Sequence, residues 1–149
     1  MSSIRDVIYE RLNGDAEFIA AFPGGFYKTW EVGEISRQRT PDAFDESGGF
    51  VGPCVLLKID GIVPVLPERD RTRVLFTLVL VFLATDSERA RAARLRAFDL
   101  LNDWHTADFW QSKWLFDTPE VEEEVLTKIS EGVRTGGSRY EMYAPRRNV

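Results

Sequence analysis

Residues 74–84 form a run of eleven in which Thr77 is the single polar side chain. A short run this rich in branched and aromatic residues specifies a β-strand. Side chains alternate across a strand, so Val74, Phe76, Leu78, Leu80 and Phe82 point one way and Leu75, Thr77, Val79, Val81 and Leu83 the other. Both faces are apolar, whereas a strand with one wet face alternates with polar residues. Any fold of this chain must cover this strand twice. The run is about half the length a helix needs to cross a bilayer, so it is not read as a membrane span.

The covering elements can be sought on either side of it. Ser3 followed by Asp6 is an N-cap pattern, and Ile4, Val7, Ile8 and Leu12 recur at helical spacing until Asn13-Gly14. Asp15 caps a second piece carrying Phe18, Ile19 and Phe22 before Pro23-Gly24-Gly25, so residues 3–22 read as one amphipathic arm in two parts. After the strand, Thr85-Asp86-Ser87-Glu88 reads as a capping box with Thr85 at the cap. Ala90, Ala93, Ala97, Leu100, Leu101 and Trp104 then form one helical stripe, with Arg89, Arg91, Arg94, Arg96, Asp99 and Asp103 mostly off it. Residues 55–60 read as a strand, and strands are also expected over 125–134 and 138–144, joined hairpin-fashion at Thr135-Gly136-Gly137. Before them lies an aromatic cluster of Phe109, Trp110, Trp114 and Phe116 and a turn at Asp117-Thr118-Pro119.

These elements predict a single α+β domain over residues 1–149: an antiparallel sheet of about four to five strands, with two main helices on one face. Two helices cannot cover both sides of the central strand. The second face, with Val79 and Val81, is therefore expected to meet another subunit. Long loops are expected near 33–52 and 61–72, ordered by partners, with Phe44, Phe50, Val65, Leu66 and Arg69 as candidate docking residues. A short basic tail, Arg146-Arg147-Asn148-Val149, follows.

Charge and cysteine content exclude several classes. A net charge of -5 is unsuited to a duplex-binding surface on the scale of the whole protein. Cys54 is the single cysteine, which excludes an intramolecular disulfide, and its run Pro53-Cys54-Val55-Leu56-Leu57 suits a buried apolar thiol. The opening residues carry no secretory-signal pattern. The glycine pairs match neither a phosphate loop nor G-x-G-x-x-G and are read as turns. No G-x-S-x-G elbow occurs.

His105 is the lone histidine, and with Asp103 and Asp108 it offers the one imaginable centre for a small hydrolase or metal-dependent enzyme. The polarity of a helix end and turn accounts for the same residues. No catalytic, cofactor or metal residues are assigned. The remaining charges suggest contacts between copies: a basic set, Arg89, Arg91, Arg94 and Arg96, and an acidic set, Glu120, Glu122, Glu123 and Glu124. Opposite patches on one chain suit a head-to-tail ring, although both sets also read as plain solvated faces.

As a whole the chain resembles the tail-completion or tail-terminator proteins of long-tailed bacteriophages. The likeness rests on the opening helix from Ile4 to Leu12, Gly24-Gly25-Phe26-Tyr27, Pro53-Cys54-Val55-Leu56-Leu57, the long strand, the Ala/Arg helix and the closing Ser138-Arg139-Tyr140-Glu141-Met142-Tyr143. It implies a structural virion protein without enzymatic activity or cofactor, assembled in the host cytoplasm. Such a subunit forms a ring, commonly sixfold, that caps the tail tube and joins it to the head-tail connector. DNA passes through the centre without sequence-specific binding, a role that an acidic lumen suits. A head-tail stopper or adaptor is the neighbouring alternative. The 33–52 segment and the proline-rich 61–72 loop depart from the family's usual pattern.

Overall fold

The computed structural model describes residues 3–64, 73–106, 112–128 and 132–149. Helices α1 (Ile4–Asn13) and α2 (Ala16–Ala20) are the two pieces of the N-terminal arm. Ser3 Oγ accepts from the Asp6 amide at 3.3 Å, and Asp15 Oδ2 from the Phe18 amide at 2.8 Å. Strand β1 (Phe26–Lys28) and a single turn of helix, α3 (Thr29–Val32), lead to a long connection containing the 3-10 turn Pro41–Ala43. There follow β2 (Cys54–Pro64), β3 (Arg73–Ala84), α4 (Ser87–Leu101), β4 (Ser112–Glu122), α5 (Glu124–Thr127) and β5 (Arg134–Pro145).

The strands make one five-stranded sheet in the order β1-β2-β3-β5-β4. The pairing of β1 with β2 is parallel and the rest is antiparallel, giving the α+β class expected. The apolar run lies in the middle of the sheet. Its Val74, Phe76, Leu78, Leu80 and Phe82 face pack with Ile4, Ile8 and Leu12 of α1, Phe18 of α2, and Ala93, Ala97 and Leu101 of α4. The small alanines bring α4 close to the sheet, and the main helices share this one face.

The opposite face is closed at one end by the chain itself. Ala43, Phe44, Phe50, Cys54, Leu83, Leu126 and Val133 form a second buried cluster, with Tyr27, Ile35 and Val81 packed against it. The connection before β2 holds its shape through local polar bonds. Thr40, fully buried, donates from Oγ1 to Ser36 O at 3.0 Å, and Asp45 Oδ1 accepts from Ser47 Oγ at 2.6 Å and the Gly49 amide at 2.9 Å. Phe44 and Phe50 bridge across that turn with rings 5.9 Å apart, edge to face. Phe44 and Phe50, proposed from the sequence as docking residues, are buried within the chain in the cluster that holds Cys54 and Leu83. Val79 is 3% exposed, between its cross-strand partners Lys58 and Arg139. A second subunit is not needed to bury it.

Five further expectations need correction. The N-cap of α4 is Asp86, whose carboxylate accepts from the Glu88 and Arg89 amides. Thr85 lies one residue too early. The Trp114 to Pro119 segment is strand, with register shifts at 114/116 and 118/121 in place of a turn. Gly136 and Gly137 lie inside β5, opposite Phe82 and Val81. A Cβ on Gly136 would run into the Arg94 guanidinium, and it would approach Glu120 Cγ to 3.1 Å. That glycine therefore serves a close approach and not a hairpin. Part of the predicted 125–134 strand is α5, begun by Glu123, whose carboxylate accepts from the Leu126 amide. Finally, β2 continues through Gly61 to Pro64, so that stretch is strand and not loop.

Because Phe50 seals the second cluster from within the chain, Phe50→Ala is expected to lower the unfolding free energy of the isolated chain by about 3 kcal/mol. Urea denaturation measures it. A residue held in reserve for a partner would leave the midpoint unchanged.

Candidate functional site

The charged residues of α4 divide by the side of the helix on which they lie. Arg96 reaches α2, donating to Asp15 through Nε at 2.9 Å and Nη2 at 2.6 Å, with Glu17 nearby at 3.3 Å. Arg96 holds the Asp15 carboxyl down at about 2, helped by the Phe18 amide, against the opposing effect of burial. On the other side Arg94 pairs with Glu120 of β4 at 3.1 Å, and Glu120 also accepts from Ser87 Oγ at 2.8 Å. Two of the four arginines and one of the four glutamates are thus in ion pairs within the chain. Glu123 is occupied as the cap of α5. Arg89, Arg91, Glu122 and Glu124 remain exposed.

Of the enzyme-like set, Asp103 and His105 are among the described residues. Asp103 lies beyond the end of α4 in a left-handed backbone conformation, φ 59°, and its amide donates to Ser112 O at 2.7 Å. His105 is exposed, and Asp108 is outside the described residues, as are Val65, Leu66 and Arg69. Among the described residues no three His, Cys, Asp or Glu gather closely enough to hold a metal ion. Burial pushes the Cys54 thiol up to about 12, which removes it as a nucleophile at neutral pH.

What the fold leaves open are the two ends of the sheet. At the β4 end, Phe98 meets Trp114 edge to face at 6.1 Å, and the Trp114 indole donates to Asp117 Oδ1 at 3.0 Å. Ser138 Oγ donates to that same oxygen at 2.7 Å. Arg94, Leu95, Phe98, Trp114 and Asp117 line a shallow groove of about 190 Å³. Leu95, Phe98 and Trp114 around this groove are each more than a third exposed, an apolar patch of the kind that marks interaction sites, while Phe116 and Val121 pair with Arg139 and Thr135 on the other face of the sheet.

At the other end, β1 covers β2 only from Val55 to Leu57, leaving Lys58 to Pro64 beyond it. A bulge at Gly61, φ +82°, shifts the register so that Ile62 pairs with Phe76 and lies on the helix-bearing face. Ile62 there joins Arg5, Thr29, Trp30, Lys58, Ile59 and Gly61 around a groove of about 470 Å³. The Arg5 guanidinium lies over Trp30 at 5.3 Å, and its buried Nε has no hydrogen-bond partner. Neither Arg5 nor Lys58 is in an ion pair among the described residues.

Sequence reasoning found neither end. Leu95 and Phe98 fall off the helix stripe at i,i+3, and Trp114 and Phe116 alternate in strand fashion, which is the signal available for the first. The second depends on a bulge that a single glycine marks only weakly.

No protein-family model matches the chain, and no curated protein matches it in sequence. The fold is nevertheless shared. A chain from a solved structure described as the virion of a native gene transfer agent particle superposes with a TM-score of 0.67, covering 96% of this chain and 95% of that one at 13% identity.

Two outcomes follow from the charged and titratable groups. Asp15 has a folded pKa below its unfolded value, so its contribution is complete above the ordinary carboxylate range, about pH 4, and is lost as pH falls through about 2. The melting-temperature difference between wild type and Arg96→Ala should therefore be full at pH 7 and close between those limits. His105→Ala should leave unfolding free energy within about 0.5 kcal/mol of wild type, measured by urea titration.

Proposed function

We propose that this chain is a structural virion protein, a tail-terminator or tail-completion subunit. In this reading it forms a ring, on the sixfold pattern, that caps the tail tube and joins it to the head-tail connector. One observation carries the reading: a chain of a virion particle has the same fold over nearly the whole of both chains. The sequence resemblance described above points to the same class of particle independently.

The role is one of assembly and requires no catalytic residue. The open ends of the sheet suit it, because a subunit that must be covered by neighbours keeps apolar surface in reserve. The exposed acidic side chains Glu122 and Glu124 suit a place near DNA that must slide and not stick. The protein would be located in the tail or neck of the virion, after assembly in the host cytoplasm.

The test is electron microscopy of tubes polymerised from the cognate tail tube protein, with and without this chain. Added chain should appear as a ring at one tube end and arrest further growth. Bare tube ends at saturating protein would overturn the terminator role, and attachment to the isolated connector instead would indicate a stopper or adaptor.

A further inference from the structure

We propose that the two open ends of the sheet are the two halves of one head-to-tail contact between copies of this chain. The exposed Leu95, Phe98 and Trp114 side chains that wall the shallow groove of one copy form a ridge that would seat in the Arg5, Trp30, Lys58 and Ile62 groove of the next. The inference rests on the ring reading above and names the surfaces that reading leaves unassigned.

Three observations favour a second copy as the occupant. First, chemistry is complementary. The ridge presents aromatic and aliphatic side chains around the Asp117 carboxylate, whose Oδ1 takes both hydrogen bonds, with the Arg94 guanidinium beside it already paired to Glu120. The receiving groove is apolar with two cations, Arg5 and Lys58, outside any ion pair among the described residues. Tryptophan and arginine are the residues that most often anchor interfaces.

Second, the surfaces lie at opposite ends of the strand order β1-β2-β3-β5-β4. A contact between unlike surfaces at opposite ends passes from copy to copy and closes into a ring if the rotation permits, whereas a twofold dimer would use one surface twice. Third, strand addition is discouraged at β4. The Trp114 amide is already bound to Asn102 Oδ1 at 3.1 Å and the Ser112 amide to Trp104 O at 2.8 Å. Two register shifts and Pro119 disturb the remainder. Side chains, and not backbone pairing, are what this end offers a neighbour.

The experiment blocks each surface separately. Leu95→Glu disables the ridge and Ile62→Glu the groove, both at exposed positions, and each variant is first checked for a wild-type melting transition. Trp30→Ala replaces Ile62→Glu should the latter melt early. Sedimentation velocity is run over a concentration series on wild type, on each variant and on their mixture.

Wild type should associate, and each variant alone should associate at least about tenfold more weakly. The mixture should yield a dimer and nothing larger, because one good ridge and one good groove remain. A wild type that stays monomeric throughout the series overturns the contact, as do variants that associate like wild type. Loss confined to Leu95→Glu indicates a twofold ridge contact and overturns it too, as does a mixture that forms no dimer. In each of these cases the tube-capping assay still decides the terminator reading separately, since a ring built on other surfaces would still cap the tube.

Discussion

The structure depends on burying β3 on both sides. Ten of its side chains from Val74 to Leu83 alternate between two faces, and a strand in that condition is stable only between two layers. The helical layer is supplied by α1, α2 and α4, bound together by the two-pronged Arg96 to Asp15 bond and by Arg11 Nε donating to Leu100 O at 2.5 Å. The other layer is thin: a turn-rich connection and the short α5, held over Cys54, Val81 and Leu83 by two phenylalanines. Each buried Phe or Leu there contributes about 1.5–3 kcal/mol, enough to fix an otherwise irregular segment. Residues 33–53 lack long elements because their task is to bend over the sheet.

This division explains what could be read from the sequence. The helices and β3 announce themselves because their signals are local: a cap, an alanine stripe, an apolar run. Ser3 and Asp15 cap the helices at the expected residues, and Ala90, Ala93, Ala97 and Leu101 are the buried stripe of α4. The second cover was illegible because its contacts are remote in sequence. Nothing near Phe44 records that Leu126 and Val133 will meet it. The shift of the cap from Thr85 to Asp86 is of another kind, since both side chains can accept an amide and the difference is one residue of phase.

The β4 to β5 region failed for a physical reason worth stating. Glycines at 136 and 137 normally signal a turn, and Asp117-Thr118-Pro119 likewise. Here Gly136 removes a side chain from the space that the Arg94 guanidinium occupies, and Thr118 Oγ1 donates to Gly137 O at 3.4 Å. The turn-like residues of both strands face one another, so two weak strands pair where each alone reads as punctuation. The bulges between Trp114 and Phe116 and between Thr118 and Val121 are the cost of that pairing. The same irregularity made the ridge illegible, because Trp114 and Phe116 belong to a strand that the sequence disguises.

Intrachain ion pairs also change how charge should be read in a chain of this kind. Arg94 and Glu120 are twenty-six residues apart in sequence yet paired, so the basic helix and the acidic segment partly satisfy one another within the molecule. Charge runs are therefore poor guides to a neighbour until their internal partners are removed. The subtraction leaves Arg5 and Lys58 at one end of the sheet, Asp117, Glu122 and Glu124 towards the other, and Arg89 and Arg91 exposed on α4. Among the described residues, burial of β3 leaves no large apolar face open, and exposed apolar side chains collect at the sheet ends beside these charges. A subunit made this way is covered by its own helices on one face and by its own loop at one end of the other, and open at its flanks. In the proposed head-to-tail contact, that arrangement would direct association along the sheet, from one copy to the next, and not by stacking sheet on sheet.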